Sequence, residues 1–485
     1  IPASVKSIDS EAFAECDAVS SVTSYSTYPQ RIDESVFDKS IYQAAVLTIP
    51  TGFEDAYRNA ATWKNFVTIS QMDIPVNVGD VFLAGGITYR VSALGESNEV
   101  VATHARTDGS DDNKIIAAAN AATYTGSLTV PASVVYQGIE LKVAALDERI
   151  FHGSTALESV EIIAPVDCLP PYSFNDCTAL TTVKLPESIT SIGTYAFAYS
   201  ALISMQLPET VSLLGERCFF QCKKLESVNI PQALETVSNY AFSYCTALKS
   251  ISFGNSVKSF GSNVFQNCQA LESATLPATI TEIPASTFQN CSVLANVVLP
   301  ETVEKIGNSA FSGCAGLQLE LPASVSSIGS EAFRGMNMLT EFTLPAAMTT
   351  VPQGLFYDCT SLERVIIAGR VTSLGNNAFR NCRSLREIAV PEAETLPEAE
   401  TLADDNNNGN EADDRLIVLT IPEGVTSLGQ YCFAGYTQPG EVVLPQSVTT
   451  LGNYVFDGAT NLARINIPEG VTAMPGWGFR NTAIG

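Results

Sequence analysis

The sequence is poor in basic residues and has no long apolar run. Lys and Arg total 26 against 51 Asp and Glu, which gives a formal net charge of −25. A charge of this sign repels phosphate backbones, so we expect no nucleic acid among the partners. No stretch reaches the roughly 18 consecutive apolar residues of a transmembrane helix, and we expect no membrane insertion of this segment. Because the chain begins at Ile1 within a repeat, we expect it to be a processed part of a longer protein.

Groups that carry catalysis are also scarce. The chain has two histidines, His104 and His152, which leaves little for a catalytic triad or a His-rich metal centre, and we expect His152 to be exposed. No C-x-x-C pair argues for zinc, and no glycine-rich phosphate loop joins a strand to a helix. We therefore expect no enzyme activity, although an acidic chain always offers carboxylate pairs of the kind that a glycosidase uses.

Repeated residues, by contrast, are abundant. The proline of each turn, or the residue in its place, recurs every 22 or 23 residues, as from Pro277 to Pro300 and from Pro300 to Pro322. The exception is the step from Pro391 to Pro422, where an insertion falls. The pattern is L-x-x-V-x-[IL]-P-x-x-V-x-x-[IL]-G-x-x-[AV]-F-x-x-C. At 485 residues the chain is too long for one ordinary core, so this period predicts an elongated repeat array.

Each step of the repeat contains two short apolar segments. Apolar residues two apart before the proline, such as Val228 and Ile230, predict a short strand that ends at Pro231, because proline cannot donate to a ladder. The second apolar pair is spaced by three and usually followed by glycine, which predicts a brief extended segment on the other side of the coil. One turn cannot bury its own apolar face, but stacked turns bury each other's.

Phenylalanine and cysteine recur at the same period. The phenylalanines predict a stacked aromatic column inside a solenoid. Nine cysteines lie three residues after such a phenylalanine, where parallel side chains would stand about 4.8 Å apart, farther than the roughly 3.5–4.5 Å that a disulfide prefers between Cβ atoms. We therefore predict a ladder of buried free thiols. The nine are Cys16, Cys177, Cys222, Cys245, Cys268, Cys291, Cys314, Cys359 and Cys382.

These residues carry a family likeness. The string Leu-Pro-x-x-Val-x-x-Ile-Gly-x-x-Ala-Phe-x-x-Cys-x-x-Leu at 299–317 resembles the BspA-type leucine-rich repeats of cell-surface proteins of anaerobic bacteria. The likeness extends from Gly126 to Gly485 and over the first 70 residues. It implies a β-rich solenoid of leucine-rich-repeat turns with a parallel sheet. It also implies export, an extracellular or cell-surface location, and binding rather than catalysis.

The period divides the chain into three predicted parts. Residues 1–73 resemble the end and cap of a first array. Residues 74–123 break the period and contain a hairpin signal, in which two apolar runs flank Gly85-Gly86. Residues 124–485 form the second array, which has a further hairpin at 136–143 and lacks a cap at its end.

The second array is interrupted by an acidic insertion at 392–415 that lacks the Phe-x-x-Cys signature, so we expect it to bulge from the solenoid. Its core matches the first half of a calcium loop, with oxygen donors at Asp404, Asn406 and Asn408. The twelfth position is Arg415 instead of the bidentate Glu of that motif, and a solvated loop without metal is the alternative. We expect no other cofactor.

The outward positions of the strand before each proline lie four and two residues before it. Most are Ser, Thr or Asn, but Glu341, Arg364 and Glu387 stand on successive turns, which predicts an ion-pair ladder with ligand contact as the alternative. Glu161 and Lys184 should pair in the same way. The candidate binding residues on this exposed face are Glu320, Glu341, Arg364, Ile366 and Glu387.

Such a shallow, hydroxyl-rich face with flanking Val298, Ile366 and Val443 suits recognition of an extended partner better than bond-making chemistry. The leading hypothesis is a non-catalytic surface or secreted adhesion protein that recognises a host or matrix protein. The alternative is a glycan-binding surface protein, since rows of hydroxyl and amide groups can bind sugar hydroxyls. A rigid spacer that holds another domain away from the cell is a further alternative.

Overall fold

The computed structural model of the chain describes residues 1–2, 5, 7–26, 29–95, 97–103, 124–390, 417–438 and 440–485. These residues form two compact units, Ile1–Ile189 and Thr190–Gly485. Short strands dominate both units. The helices of the described ranges all lie in the first unit and are α1 Lys39–Ala44, α2 Glu54–Asn59 and the 3-10 helix Trp63–Asn65.

The first unit begins with parallel strands whose end is covered by aromatic rings. Trp63 and Tyr57 are fully buried beside Phe37 and Phe66, and Trp63 Nε1 donates a hydrogen bond of 2.7 Å to the carbonyl of Gln30. These rings bury the apolar side of the last parallel strands, which have no further turn of the repeat to pack on. The strands of this part are β1 Ser7–Ile8, β2 Ser21–Thr23, β3 Arg31–Ile32, β4 Val46–Pro50 and β5 Thr68–Met72.

Both hairpins predicted from the sequence are present. Gly85 and Gly86 have φ of 55° and 81°, and Gln137 and Gly138 have φ of 50° and 77°, the left-handed values of a two-residue hairpin turn. The two hairpins belong to one five-stranded sheet, because β11 pairs in parallel with β8. The strands are β6 Val81–Ala84, β7 Ile87–Ala93, β8 Glu99–Thr103, β10 Ser133–Tyr136 and β11 Ile139–Leu146.

The first unit ends with turns of the repeat. Its parallel sheet has the order β14-β12-β9, and Phe151 stacks on Phe174 with ring centroids 4.9 Å apart. The remaining strands of this unit are β9 Thr125–Val130, β12 Ala156–Ile162, β13 Cys168–Leu169 and β14 Thr182–Lys184.

The second unit is a solenoid with the predicted row of parallel strands before the proline, and a second row of parallel strands lies where a brief extended segment was expected. The strands before the proline form the pre-proline sheet, and those before the glycine form the pre-glycine sheet. The pre-proline strands are β16 Ser204–Met205, β18 Ser227–Val228, β20 Ser250–Ser252, β22 Ser273–Thr275, β24 Asn296–Val298, β27 Glu341–Leu344, β29 Arg364–Ile367, β31 Glu387–Ala389, β32 Val418–Thr420, β34 Glu441–Val443 and β36 Arg464–Ile465. The pre-glycine strands are β15 Ser191–Ile192, β17 Leu213–Leu214, β19 Thr236–Val237, β21 Ser259–Phe260, β23 Glu282–Ile283, β25 Lys305–Ile306, β26 Ser327–Ile328, β28 Thr350–Val351, β30 Ser373–Leu374, β33 Ser427–Leu428 and β35 Thr450–Leu451.

Stacked phenylalanines run through this unit and confirm the predicted column. Successive ring centroids lie between 5.2 Å, for Phe197 and Phe219, and 6.3 Å, for Phe311 and Phe333. Phe379 stacks on Phe433 at 5.3 Å, and β30 pairs directly with β33. The column therefore continues directly from Phe379 to Phe433, and the pre-glycine sheet continues directly from β30 to β33.

The thiol ladder is also confirmed. All twelve cysteines are free, and of the nine predicted ladder positions eight are buried while Cys16 is half-buried. Each of the eight buried thiols donates a hydrogen bond of 3.0–3.1 Å to the carbonyl of the phenylalanine in the preceding turn, as Cys268 does to Phe242. The cysteine thus joins consecutive turns without a covalent bond.

The residue after the pre-glycine strand decides whether that sheet continues. Gly261 and Gly307 each donate a hydrogen bond of 2.8 Å to the preceding turn. The pre-glycine sheet is interrupted before β23 and before β28, where Pro284 and Pro352 occupy the glycine position and have no N–H to donate.

Candidate binding surface

The pre-proline strands present their outer residues in register. β20, β22 and β24 align Ser250 with Ser273 and Asn296. On each of these strands the middle residue points into the solenoid, and its neighbours are exposed or half-buried. Because the turns repeat almost without change, residues 22 or 23 positions apart become neighbours, and the register predicted for these turns is confirmed.

Glu341, Arg364 and Glu387 lie side by side on β27, β29 and β31. Arg364 Nη1 is 3.7 Å from Glu341 Oε2, and Arg364 Nε is 2.8 Å from Glu387 Oε2. The Nε–H is not oriented for a good hydrogen bond, so this contact is an ion pair alone. The predicted ion-pair ladder is confirmed, and all three side chains keep about half of their surface in solvent. Such exposed pairs contribute at most about 1 kcal/mol each.

The other residues predicted for this face differ in burial and in whether they lie in a strand. Ile366 lies two residues after Arg364 on β29, where it is half-buried. Lys184 Nζ lies 3.5 Å from Glu161 Oε1, which confirms that pair. Glu320 is exposed but does not lie in a strand, because the pre-proline sheet stops at β24 and resumes at β27. The expectation that Glu320 occupies an outward position of a strand is therefore wrong.

The break between β24 and β27 is explained by a shorter stretch of chain between the buried leucine and the proline of this turn. In the preceding turn five residues lie between Leu294 and Pro300, whereas four lie between Leu317 and Pro322, so one residue is missing where the strand would lie. Leu319 keeps the inward position and is buried, while Gln318 and Glu320 remain exposed. The segment thus stays in line with the sheet without the length to join its ladder.

Two clefts flank this segment, which we call the unpaired segment, Gln318–Leu321. One has a volume of about 680 Å³ and lies between the unpaired segment and β27. The other has a volume of about 620 Å³ and is lined by β24, Glu301 and Met338. Glu320 and Glu341 line both clefts, so these two predicted residues are brought together at the break.

The surfaces show little that resembles a catalytic or metal centre. His152 is exposed, as predicted, and its Nδ1 lies 3.2 Å from Asn175 Nδ2. His104 and the proposed calcium ligands Asp404, Asn406 and Asn408 lie outside the described residues. Within the described ranges, no three His, Cys, Asp or Glu side chains are grouped so that they could hold a metal ion. In the same ranges no helix is long and apolar enough to span a lipid bilayer.

The ladder thiols have the wrong environment for a nucleophile. Burial raises the pKa of Cys222 and of Cys268 to about 12, because desolvation penalises the thiolate. A reactive cysteine needs a lowered pKa and access to solvent. These thiols therefore serve packing and hydrogen bonding between turns.

A second row of stacked side chains, which was not predicted from the sequence, lies two residues before the column phenylalanines. Arg217 is stacked 4.2 Å from the ring of Tyr240, and Tyr431 stacks on Tyr454 at 4.6 Å. Tyr454 in turn stacks on Trp477 at 6.5 Å. The signal in the sequence is the recurrence of aromatic residues and arginine at this position. Tyr454 is stacked between two rings, whereas Trp477 at the end of the stack is 63% exposed.

Comparisons with known proteins agree with this architecture. The family model described as BspA type leucine rich repeat region matches six copies over residues 1–81, 144–272, 213–319, 317–403 and 412–484. No curated protein matches the chain significantly. Because the family matches cover most of the sequence, the repeat assignment rests on both ends of the chain and on its middle.

Solved structures with a similar fold are bacterial leucine-rich repeat proteins. One from Bacteroides ovatus is 21% identical, with a TM-score of 0.54, and the match covers 82% of this chain and 96% of that one. A leucine rich cell surface protein from Faecalibacterium prausnitzii is 20% identical, with a TM-score of 0.47 and coverage of 82% and 96%. The pneumococcal vaccine antigen PcpA is 19% identical, with a TM-score of 0.44 and coverage of 73% and 94%. At this identity the first likeness supports the fold alone.

Proposed function

The chain belongs to the BspA type leucine rich repeat family, and from this membership we propose that it is a non-catalytic binding protein, secreted or displayed at the cell surface, that recognises a host or matrix protein on its pre-proline sheet. The observation that carries the proposal is the exposed row of Glu341, Arg364 and Glu387 on neighbouring strands. Charges of both signs, held in fixed register beside the apolar Ile366, give a surface that discriminates between protein partners.

Charge complementarity sets specificity and association rate more than raw affinity. Arg364 is held between two carboxylates, so an acidic side chain of a ligand can approach it only by competing with Glu341 or Glu387. A partner that carries a basic and an acidic group at strand spacing satisfies both signs at once. This requirement favours a folded or extended protein over a small ion.

The test is capture of the protein by immobilised extracellular-matrix proteins, with binding followed by surface plasmon resonance. We expect the triple variant Glu341→Ser, Arg364→Ser, Glu387→Ser to lose binding, because it removes all three charged side chains of the row. Serine is chosen because other turns carry it at this position. The matched control is Glu161→Ser with Lys184→Ser, which removes a similar exposed ion pair elsewhere. Equal binding by the triple variant and the wild type would show that this row is not the contact surface.

A glycan ligand is the second candidate, favoured by one observation. Ser204, Ser227 and Ser250 are exposed on consecutive pre-proline strands and form a row of hydroxyl groups. Sugars bind such rows through hydrogen bonds, but they also use exposed aromatic faces, and the outer positions of the described pre-proline strands of this unit carry none. A glycan array without hits removes this candidate.

A further inference from the structure

The pre-proline sheet is also divided between β18 and β20 and between β31 and β32. Between β24 and β27, however, a whole described turn carries no pre-proline strand, which leaves two strand edges without partners. β24 pairs with β22, and β27 pairs with β29, but no strand lies between β24 and β27. No backbone hydrogen bond joins the unpaired segment to either neighbour, all of these residues being described. A strand edge with unpaired N–H and C=O groups is a template for another strand.

The surroundings of the β24 edge favour an apolar and basic occupant. Val298 on β24 is 83% exposed, and Met338, which lines the same cleft, is 51% exposed. Three carboxylates, those of Glu301, Glu320 and Glu341, line this cleft. Glu301 and Glu320 form no ion pair with any described residue, so the acidic charge of the cleft is compensated only where Glu341 meets Arg364.

We propose that this cleft is where an extended, basic segment of the protein ligand docks by adding a strand to the free edge of β24. The backbone of that segment pairs with Asn296–Val298. Its alternate side chains divide between two environments: apolar ones cover Val298 and Met338, and Lys or Arg side chains meet Glu301 and Glu320. This inference rests on the proposed function, because it gives one contact point of the same binding surface.

The probe is a capped peptide of about ten residues in which Val and Lys alternate, and its affinity for the whole protein is measured by isothermal titration calorimetry. Two comparison peptides isolate the two parts of the interaction. One has Glu in place of Lys, and the other has N-methyl groups on alternate backbone nitrogens, which remove ladder donors. We expect binding of the Val-Lys peptide to weaken with salt. Binding of the two comparison peptides should be at least about tenfold weaker than that of the Val-Lys peptide.

The decisive variant restores the missing residue. Inserting one serine after Leu317 gives the regular six-residue spacing to Pro322, and we expect the added strand to close the edge and to weaken peptide binding at least about tenfold. The double variant Glu301→Gln, Glu320→Gln leaves the backbone unchanged, so it tests the charge even if the insertion prevents folding. Its matched control is Glu187→Gln with Glu209→Gln, which removes two carboxylates outside the clefts.

The outcomes separate this inference from the proposed function. A folded insertion variant that binds the peptide as the wild type does would overturn the inference, as would failure of the wild type to bind it. Dimers of the wild type that the insertion abolishes, seen by sedimentation velocity, would overturn it in favour of a second copy of this chain at the same edge. If matrix-protein capture persists in any of these cases, the proposed function stands without this docking site.

Discussion

The stacked phenylalanine column should dominate the stability of the solenoid. Phe242 is fully buried, with ring centroids 5.3 Å from Phe219 and 5.8 Å from Phe265. Replacing a buried phenylalanine by alanine costs about 3–5 kcal/mol, to which the loss of each stacked pair contributes roughly 0.5–1.5 kcal/mol. Since domains are stable by only about 5–15 kcal/mol, Phe242→Ala should remove a large part of the stability of this region.

Guanidinium unfolding followed by far-ultraviolet circular dichroism measures this loss. The matched control is Phe220→Ala, since Phe220 is only partly buried and contacts Tyr199 and Tyr244 outside the column. We expect the control to lose less than half as much stability as Phe242→Ala. Because each turn of a repeat array contacts only its neighbours, the core variant should also separate the single transition into two. Equal midpoints for Phe242→Ala and Phe220→Ala would refute the reasoning that the column, rather than aromatic content, stabilises the turns.

Three further experiments test how successive turns pack. They are unfolding at alkaline pH, alkylation of the thiols, and substitution of one glycine. Burial raises the pKa of Cys222 and Cys268 from the ordinary 9.0 to about 12, so the unfolded chain loses these protons first. Stability should be complete below pH 9 and fall as pH approaches 12, which guanidinium unfolding at several pH values will show. In the native protein, peptide mapping after alkylation should find the exposed Cys168 modified well before the buried thiols. Gly452→Ala should cost about 1–3 kcal/mol in the same unfolding assay, because the added Cβ would clash with the backbone nitrogen of Gln430.

The repeat makes much of the fold predictable from the sequence. Once Phe242 and Cys268 are known to recur at the same period, the stacked rings and the ladder of buried thiols follow, because equivalent residues of stacked turns must meet. The hydrogen bonds from the thiols to the phenylalanine carbonyls were not predicted. The same logic places Arg364 between two glutamates on neighbouring strands. Contacts between positions related by the repeat period can therefore be predicted without considering the rest of the chain.

Contacts outside the period could not be predicted in the same way. The parallel pairing of β11 with β8 joins Lys142 to Glu99, and nothing local in either strand specifies a partner so distant in the sequence. The break at the unpaired segment was not predicted from the sequence for a different reason. Positions counted backward from Pro322 look regular, and the missing residue becomes apparent only when the count starts at Leu317.

Two kinds of interruption have different consequences for the surface. At Pro284 the pre-glycine sheet loses one donor, yet Phe265 and Phe288 remain stacked at 5.5 Å and the Cys291 thiol still reaches the preceding turn. Around the unpaired segment several connections are lost together. Met336 takes the cysteine position and has no S–H to donate, Pro352 ends the pre-glycine ladder on the following turn, and the ring spacings widen to 6.3 and 6.2 Å.

The two clefts lie where connections are lost on both sheets. At Pro284 the stacked rings and the thiol hydrogen bond still join the neighbouring turns. A turn that lacks a strand residue and a thiol lets its neighbours separate, which exposes the edges of β24 and β27. The free edges and the carboxylates of Glu320 and Glu341 therefore lie together at the turn in which one residue is missing between Leu317 and Pro322 and Met336 replaces the ladder cysteine.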